Sequence, residues 1–238
     1  MRVEVYFTIP ELDPASVEEA SAVVVDVVRA TSTIVEALAN GAEAIYPAET
    51  PEDAVRLANS LGRDRALVCG ERKGLKVDGF DLGNSPREYR TEVVAGKDLV
   101  FTTTNGTRAF LAVAEASRTV SASFLNLSAA ARSVADSQRL IVLCAGRGNQ
   151  FSMDDALCAG YLVRRLMGLA PVTATLNDAA RAAAGMADTF TIDRDFLRRT
   201  AAGAALVEVG LEADLALCAE IDRHSLVPRY IDHRIVLP

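Results

Sequence analysis

Hydrophobic residues recur along the chain in short runs that alternate with helix-like stretches. Two runs near the start, Arg2–Thr8 and Ala22–Val28, predict strands. The second is a nearly continuous valine run, which is typical of a strand covered on both faces. The same pattern predicts further strands at Ala44–Pro47, Ala66–Gly70, Leu99–Thr103, Val120–Phe124 and Leu140–Cys144, and a last one in the tail at Tyr230–Leu237.

Helical spacing of apolar residues separates these runs. Gly41 closes a predicted helix over Thr31–Asn40, and Thr50 caps another that begins at Pro51. Further helices are predicted over Thr107–Ala116, Ser128–Asp136 and Ser152–Met167, and the chain reads as mostly helical from Pro171 to about Arg223.

Alternating strands and helices indicate the α/β class. We expect a three-layer α/β/α sandwich with a largely parallel or mixed sheet, and an Ala-rich helical C-terminal part. Residues 1–238 read as one domain, in which a change of pattern near Pro171 leaves room for two lobes.

Composition narrows the function classes. The net charge of -7 argues against a nucleic-acid binder, although local arginines can still bind a small anion. Four cysteines in apolar surroundings, with no C-x-x-C pair, favour reduced thiols and a cytoplasmic location over a zinc site. The charged N-terminus lacks the apolar run of a signal peptide, and we expect no membrane contact.

Candidate chemistry follows the predicted strands, because ligands of open α/β sheets bind at the carboxyl ends of the strands. Asp26 lies near the end of the valine run, and Arg29 precedes the hydroxyl residues Thr31 and Ser32 at a helix start. Asp26 is a candidate metal ligand and Arg29 a candidate phosphate clamp. The alternative is that Asp26 pairs with Arg29 while a hydroxyl only caps the helix.

Two later strand-to-helix turns have the same character. Thr103, Thr104, Asn105 and Gly106 offer small side chains that let a backbone approach an anion, although a plain polar turn has the same composition. The second turn carries Gly146 and Arg147 and leads to the acidic pair Asp154 and Asp155. Asp155 is a candidate metal ligand or general base, against the alternative that it forms a capping pair with Ser152.

A long stretch rich in glycine and charge, Glu71–Arg90, follows another strand directly. Long irregular loops in compact domains are often functional. Its candidate ligand-binding residues, against the alternative of a solvated loop, are Glu71, Arg72, Lys73, Asp81, Asn84 and Ser85. Carboxylates at one sheet edge suit Mg²⁺, for which the candidate ligands are Asp26, Glu71, Asp154 and Asp155.

Several segments, taken in order, resemble the 2-phosphosulfolactate phosphatase family. The likeness covers nearly the whole chain and is carried by Asp26–Thr33 (DVVRATST), Asn40–Gly41, Gly70–Lys73 (GERK), Gly79–Pro86 (GFDLGNSP), Thr102–Thr107, Cys144–Gly146, Phe151–Gly160 (FSMDDALCAG), Asp214–Asp222 (DLALCAEID) and Val227–Pro228. The resemblance implies an Mg²⁺-dependent phosphatase that converts 2-phospho-3-sulfolactate to 3-sulfolactate and phosphate, a step toward coenzyme M.

Combined with the candidate residues, the resemblance gives a working hypothesis. Mg²⁺ is held by Asp26 with Glu71 or Asp155, Arg29 binds the phosphoryl charge, and Asp155 orients the attacking water. The catalytic set is Asp26, Arg29, Glu71, Asn105 and Asp155. The substrate's carboxylate and sulfonate are left to Arg72, Lys73, Lys76 or Arg147.

Other interpretations stay open at this point. The first alternative is a nucleotide- or dinucleotide-binding enzyme. A dinucleotide site would need G-x-G-x-x-G after the first strand, of which only the fragment Gly146–Gly148 is present, and the sequence has no P-loop. A non-catalytic anion-binding protein is the second alternative. The C-terminal helices could form a homodimer interface. We interpret the acids Asp214 and Asp222 as a solvated or interface edge, and both histidines as structural.

Overall fold

The computed structural model describes residues 1–169 and 174–238, and strands and helices alternate along them. The strands are β1 (Arg2–Tyr6), β2 (Ser21–Val25), β3 (Ala44–Pro47), β4 (Ala66–Arg72), β5 (Leu75–Lys76), β6 (Asp98–Thr102), β7 (Arg118–Ala122), β8 (Arg139–Cys144), β9 (Thr175–Leu176), β10 (Arg229–Ile231) and β11 (Arg234–Val236).

The helices fill the connections between these strands. They are α1 (Ala30–Ala39), α2 (Pro51–Leu61), α3 (Thr91–Val94), α4 (Gly106–Ala112), α5 (Leu127–Ser133), α6 (Met153–Leu169), α7 (Asp178–Thr189), α8 (Arg194–Arg199), α9 (Ala201–Glu208) and α10 (Asp214–Cys218). Of these described helices, none has the length and apolar character that a bilayer span requires.

The strands form one mixed sheet in the order β5-β4-β6-β3-β11-β10-β7-β2-β8-β1-β9. Two parallel blocks make up most of it, β4-β6-β3 on one side and β7-β2-β8-β1-β9 on the other. The antiparallel hairpin β10–β11 joins the blocks by pairing with β7 and β3. Three successive antiparallel pairings separate β7 from β3, so the strands of the two blocks run in opposite directions within one continuous sheet.

Helices cover both faces of the sheet, which confirms the expected sandwich. In β2, Val23 and Val25 pack in one apolar cluster with residues of α6 and α7, whereas Ala22 and Val24 pack in another with residues of α1 and α4. All five residues of β2 are buried. This two-sided burial is the reason for the valine run seen in the sequence.

Three sequence expectations need correction. The tail forms the hairpin β10–β11 instead of one strand, with Asp232 and His233 in left-handed conformations at its turn. The C-terminal part includes the short edge strand β9, which pairs with β1. The stretch after Gly70 is less irregular than expected, because β4 continues to Arg72 and turns back into β5. The expected change of pattern at Pro171 lies outside the described residues.

Candidate active site

A cavity of about 480 Å³ opens at the carboxyl ends of β2, β4, β6 and β8. This is where open α/β sheets bind their ligands. Eleven of the residues singled out in the sequence line it: Asp26, Arg29, Glu71, Lys73, Asn84, Thr103, Thr104, Asn105, Gly146, Arg147 and Asp155. The topology therefore brings together turns that are up to 129 residues apart, from Asp26 to Asp155.

Asp26 follows β2 directly and is 7% exposed. Its Oδ1 accepts a hydrogen bond from Ala30 N at 3.2 Å, whereas Oδ2 accepts none among the described residues. Burial, together with the negative charges of Asp154 and Glu71, raises the pKa of Asp26 to about 7. Asp26 is therefore a carboxylate with one free oxygen, in surroundings that would gain from a cation.

Gly106 was expected to bind substrate, but the structure gives it a different task. A Cβ at this position would lie 2.4 Å from Ala30 Cβ and 2.7 Å from Asp26 Oδ2. The absence of a side chain lets the start of α4 approach the start of α1 with the Asp26 carboxylate between them.

Replacing Gly106 by alanine should displace the Asp26 carboxylate. We expect a loss of about 1–3 kcal/mol in unfolding free energy from overpacking, and a fall in kcat/KM of roughly tenfold to a hundredfold from misplacement of a reacting group. Gly185→Ala is the control, since Gly185 lies within α7 and a Cβ added there would meet nothing within 4 Å. An unchanged kcat/KM for Gly106→Ala would contradict this explanation of the glycine.

Arg29 is buried at the start of α1 and follows a cis peptide bond with Val28. Its Nη1 donates to Asp214 Oδ2 at 2.7 Å, and its Nη2 donates to the carbonyl oxygen of Gly74 at 2.6 Å. Ser85 Oγ donates to the other oxygen of Asp214 at 2.6 Å. Arg29 therefore pairs with Asp214 and not with Asp26, which corrects the alternative raised from the sequence.

Glu71 and Asn105 hold neighbouring loops around the cavity. Glu71 accepts backbone hydrogen bonds from Thr104 N at 2.8 Å and Gly74 N at 2.7 Å, one on each oxygen. Asn105 Oδ1 accepts from Gly148 N at 3.2 Å. Together these bonds tie the β4–β5 turn to the β6–α4 turn, and that turn to the loop after β8.

The two acids at the start of α6 differ in direction, as expected of neighbouring helix residues. Asp155 lines the cavity and accepts from Val27 N at 2.8 Å and Gly146 N at 3.1 Å. It thus joins the ends of β2 and β8 and does not cap the helix with Ser152. Asp154 accepts from Ser152 Oγ at 2.6 Å and is absent from the lining. Burial raises the pKa of both carboxyls.

The walls of the cavity differ in character. Lys73 and Arg147 are exposed cations at its edge, and neither makes a salt bridge among the described residues. Across from the loops, α9 and the residue after it contribute an apolar wall with one acid, formed by Ala202, Ala205, Leu206, Glu208 and Val209. The cavity therefore offers charge on one side and hydrocarbon on the other.

Eight predicted residues lie outside the lining, and most of them make contacts next to it instead. Thr31 Oγ1 donates to the Asp26 carbonyl, and Ser32 Oγ donates to the Val27 carbonyl, each at 2.8 Å. Arg72 donates to Thr102 Oγ1. Asp81 forms an ion pair with Arg63 at 2.8 Å. The other four are Ser85, Gly106 and Asp154, described above, and Lys76, which is exposed in β5.

The oxygen donors present fit a hard cation such as Mg²⁺. Within residues 1–169 and 174–238, no three His, Cys, Asp or Glu side chains are placed to share one metal ion. Asp26 nevertheless has a free carboxylate oxygen, and Asn84 Oδ1 is buried with no hydrogen-bond partner among the described residues. Mg²⁺ usually takes one or two carboxylates and keeps several waters, so a preformed cage of three is not needed.

Sequence reasoning missed the contribution of the C-terminal helices. Asp214 was interpreted as part of a solvated edge, yet it is fully buried against Arg29. The apolar residues of α9 were not singled out at all. The one available signal was Asp214–Asp222 itself, which carried the family resemblance without a role.

Carboxylates, an arginine and small hydroxyl residues around one cavity at the carboxyl ends of four strands define an α/β enzyme of the phosphoryl-transfer type. The chain matches the model of the 2-phosphosulpholactate phosphatase family over residues 6–233. It belongs to that family.

Curated relatives carry the same family name. A protein of Thermotoga petrophila named probable 2-phosphosulfolactate phosphatase is 39% identical over 222 residues, 93% of each chain. One of Clostridium acetobutylicum with the same name is 35% identical over 237 residues, covering 99% of this chain and 100% of its own. A third, of Symbiobacterium thermophilum, is 38% identical over 91% of this chain and 93% of its own.

Proposed function

We propose that the chain is an Mg²⁺-dependent phosphatase that hydrolyses 2-phosphosulfolactate, or a related small 2-phosphohydroxy acid, to the hydroxy acid and phosphate. The names of the family and of the relatives support phosphatase activity. The observation that carries the proposal is that the half-free Asp26 carboxylate and the Arg29 guanidinium both line one cavity. This reaction needs at least an acidic side chain that binds the metal ion and a cationic side chain that binds the phosphoryl group.

In the proposed mechanism, Asp26 would hold the metal ion, with Asn84 and Glu71 as further oxygen donors at the cavity. The bound ion would supply charge neutralisation at the phosphoryl oxygens. Arg29 has five N–H donors and spends two on Asp214 and Gly74, which leaves donors for the phosphoryl group. In the Thr103–Asn105 turn, the N–H groups of Thr103 and Thr104 already donate to Thr107 Oγ1 and Glu71 Oε1, which leaves the Asn105 N–H to add to this anion site.

We assign the water-orienting carboxylate to Asp155. Each of its oxygens accepts one backbone N–H, and each has a second lone pair for a water at the cavity. Burial raises the pKa of the Asp155 carboxyl well above its usual range, which makes its carboxylate a stronger proton acceptor. The leaving hydroxy acid takes up a proton from solvent or from this carboxyl.

The parts of the proposed substrate other than the phosphoryl group would contact the charged and the apolar walls of the cavity. Lys73 and Arg147 would pair with the carboxylate and the sulfonate, and the apolar wall of α9 would contact the carbon chain. Two anionic groups on a short carbon chain match two exposed cations at the mouth of a small cavity.

The chain is further proposed to act in the cytoplasm as a homodimer. All four cysteines are free and buried, and burial raises the pKa of each thiol, as suits a reducing compartment. Light scattering of the purified protein tests the dimer.

The proposal predicts metal-dependent phosphate release. We expect turnover of racemic 2-phosphosulfolactate with Mg²⁺, slower turnover of 2-phospholactate because it lacks the sulfonate, and loss of both in EDTA. Phosphate release measured against time, with Mg²⁺ restored after chelation as the control, checks this. Turnover that is unaffected by EDTA would remove the metal from the proposal, and no turnover of either ester would move the function to another ligand of the same cavity.

A further inference from the structure

We infer that Asp214 is a positioning residue, which aims the Arg29 guanidinium at the phosphoryl group from the far end of the chain. This inference rests on the proposed phosphatase function. Asp214 lies in α10, 185 residues after Arg29, and has no place on the cavity lining itself. It therefore acts through Arg29 and not on the substrate.

The geometry of the pair carries the inference. The side chains of Arg29 and Asp214 are 3% and 1% exposed, and Nη1 lies 2.7 Å from Oδ2. A guanidinium is planar, so a carboxylate on one nitrogen and the Gly74 carbonyl on another fix the plane of the fork. The directions of the remaining N–H groups are then fixed as well, in a residue that lines the cavity.

A second bond keeps the carboxylate itself from rotating. Ser85 Oγ donates to Asp214 Oδ1 at 2.6 Å, and Ser85 is 5% exposed. Ser85 belongs to the GFDLGNSP segment, and Asp214 to DLALCAEID. The hydrogen bond between Ser85 and Asp214 therefore joins these two motifs next to Arg29, although neither residue lines the cavity. A buried charged pair of this kind is weak evidence for stability alone, so a positioning role accounts for it better.

The same contact attaches the apolar wall to the site. α10 follows α9 in the chain, and Leu206 and Val209 lie within 4 Å of a Cβ placed on Gly74. Gly74 is also the residue whose carbonyl accepts from Arg29. The orientation of Arg29 and the placement of the α9 wall therefore depend on one set of contacts.

The test measures binding of inorganic phosphate by titration calorimetry in Mg²⁺ buffer, together with kcat and KM. Asp214→Ala should weaken phosphate binding and lower kcat/KM by about tenfold or more, as expected for loss of an oriented charge-assisted bond. Asp214→Asn, whose amide oxygen can still accept from Nη1, should stay within about threefold of the wild type. Asp222→Ala is the matched control, because Asp222 binds Ser128 and Arg165 away from the cavity.

A double-mutant cycle separates positioning from a purely structural role. In an Arg29→Lys background, Asp214→Ala should have little further effect on phosphate binding, because the fork that it orients is gone. Equal effects in both backgrounds would overturn the inference, as would an Asp214→Ala protein with lower stability but unchanged phosphate binding. If that variant does not fold, Ser85→Ala takes its place, with a loss of roughly threefold expected in the wild-type background only.

Failure of the proposed function is distinguishable from failure of this inference. A wild-type protein that binds no phosphate and hydrolyses no ester would overturn the proposed function, and the inference with it. A wild-type protein that binds phosphate with the same affinity as Asp214→Ala and Ser85→Ala would overturn the positioning role alone.

Discussion

Asp26→Asn should lower kcat by about a thousandfold, which corresponds to about 4 kcal/mol of activation free energy. Asparagine keeps the shape of the side chain and can still accept the hydrogen bond from Ala30 N. What it loses is the negative charge on the free Oδ2 that we propose holds the metal ion. The measurement is phosphate release from 2-phosphosulfolactate at saturating Mg²⁺.

The matched control for this variant is another buried aspartate. Asp98 begins β6, at the opposite end of that strand from the cavity, and forms an ion pair with Arg65 at 2.8 Å. Asp98→Asn should keep kcat within about twofold and lose some stability because its partner is left unpaired. A similar loss of activity in both variants would mean that Asp26 acts only through folding.

The stability of Asp26→Asn should change in the opposite direction. The pKa of Asp26 is raised to about 7 by burial, so the folded protein favours the protonated carboxyl. In the wild type, stability is therefore lost as the pH rises from about 4 to about 7, and the loss stays complete at higher pH. In EDTA, the variant should be more stable than the wild type by on the order of 4 kcal/mol at pH 8, and by much less at pH 4.

Most strands and helices of the fold could be predicted from the local pattern of hydrophobic and polar residues. Strand β2 and the helices that start near Pro51 and Ser152 could be predicted because each element depends on residues close together in the sequence. The hairpin β10–β11 could not, because its position between β3 and β7 is set by pairing with strands more than a hundred residues away. Strand β9 was missed for a similar reason, as two residues give too short a pattern to detect.

The candidate site divides in the same way. Asp26 and Gly146 follow neighbouring parallel strands, and so do Glu71 and Thr103, so proximity within each pair could be predicted. The meeting of the two pairs at one cavity could not, because their strands belong to blocks that run in opposite directions. The lining could not be predicted residue by residue, since side-chain direction decides whether Asp154 or Asp155 reaches the cavity.

The contribution of the C-terminal helices to the candidate site could not be predicted from the sequence pattern. Helical spacing predicts which residues share a helix face with Asp214, but it does not predict which residues that face contacts. Its burial against Arg29 depends on how α10 packs next to the loop that carries Ser85. An acidic residue in a helix is usually exposed to solvent. Asp214 is buried instead because it pairs with Arg29, which lies 185 residues earlier in the sequence.

Arg29→Ala should combine a large loss of activity with a large loss of stability. Removing the guanidinium takes away the proposed phosphate clamp, so kcat/KM should fall by roughly tenfold to a thousandfold. It also leaves the fully buried Asp214 without its cationic partner, which should lower the unfolding free energy by about 3–5 kcal/mol. Arg29→Lys keeps the charge without the planar fork and should lie between the wild type and alanine in both quantities.

Arg139→Ala provides the comparison for Arg29→Ala, because Arg139 also pairs with a mostly buried acid, Glu4, at 2.7 Å. Arg139 begins β8, far along the strand from Gly146, so its loss should reduce stability in urea while leaving kcat/KM within about twofold. Parallel measurement of urea unfolding and steady-state kinetics separates the two effects. Wild-type kinetics for Arg29→Lys, or equal kinetic losses for the Arg29 and Arg139 alanine variants, would remove Arg29 from the phosphate site, since only a residue at the reacting group should separate catalysis from folding in this way.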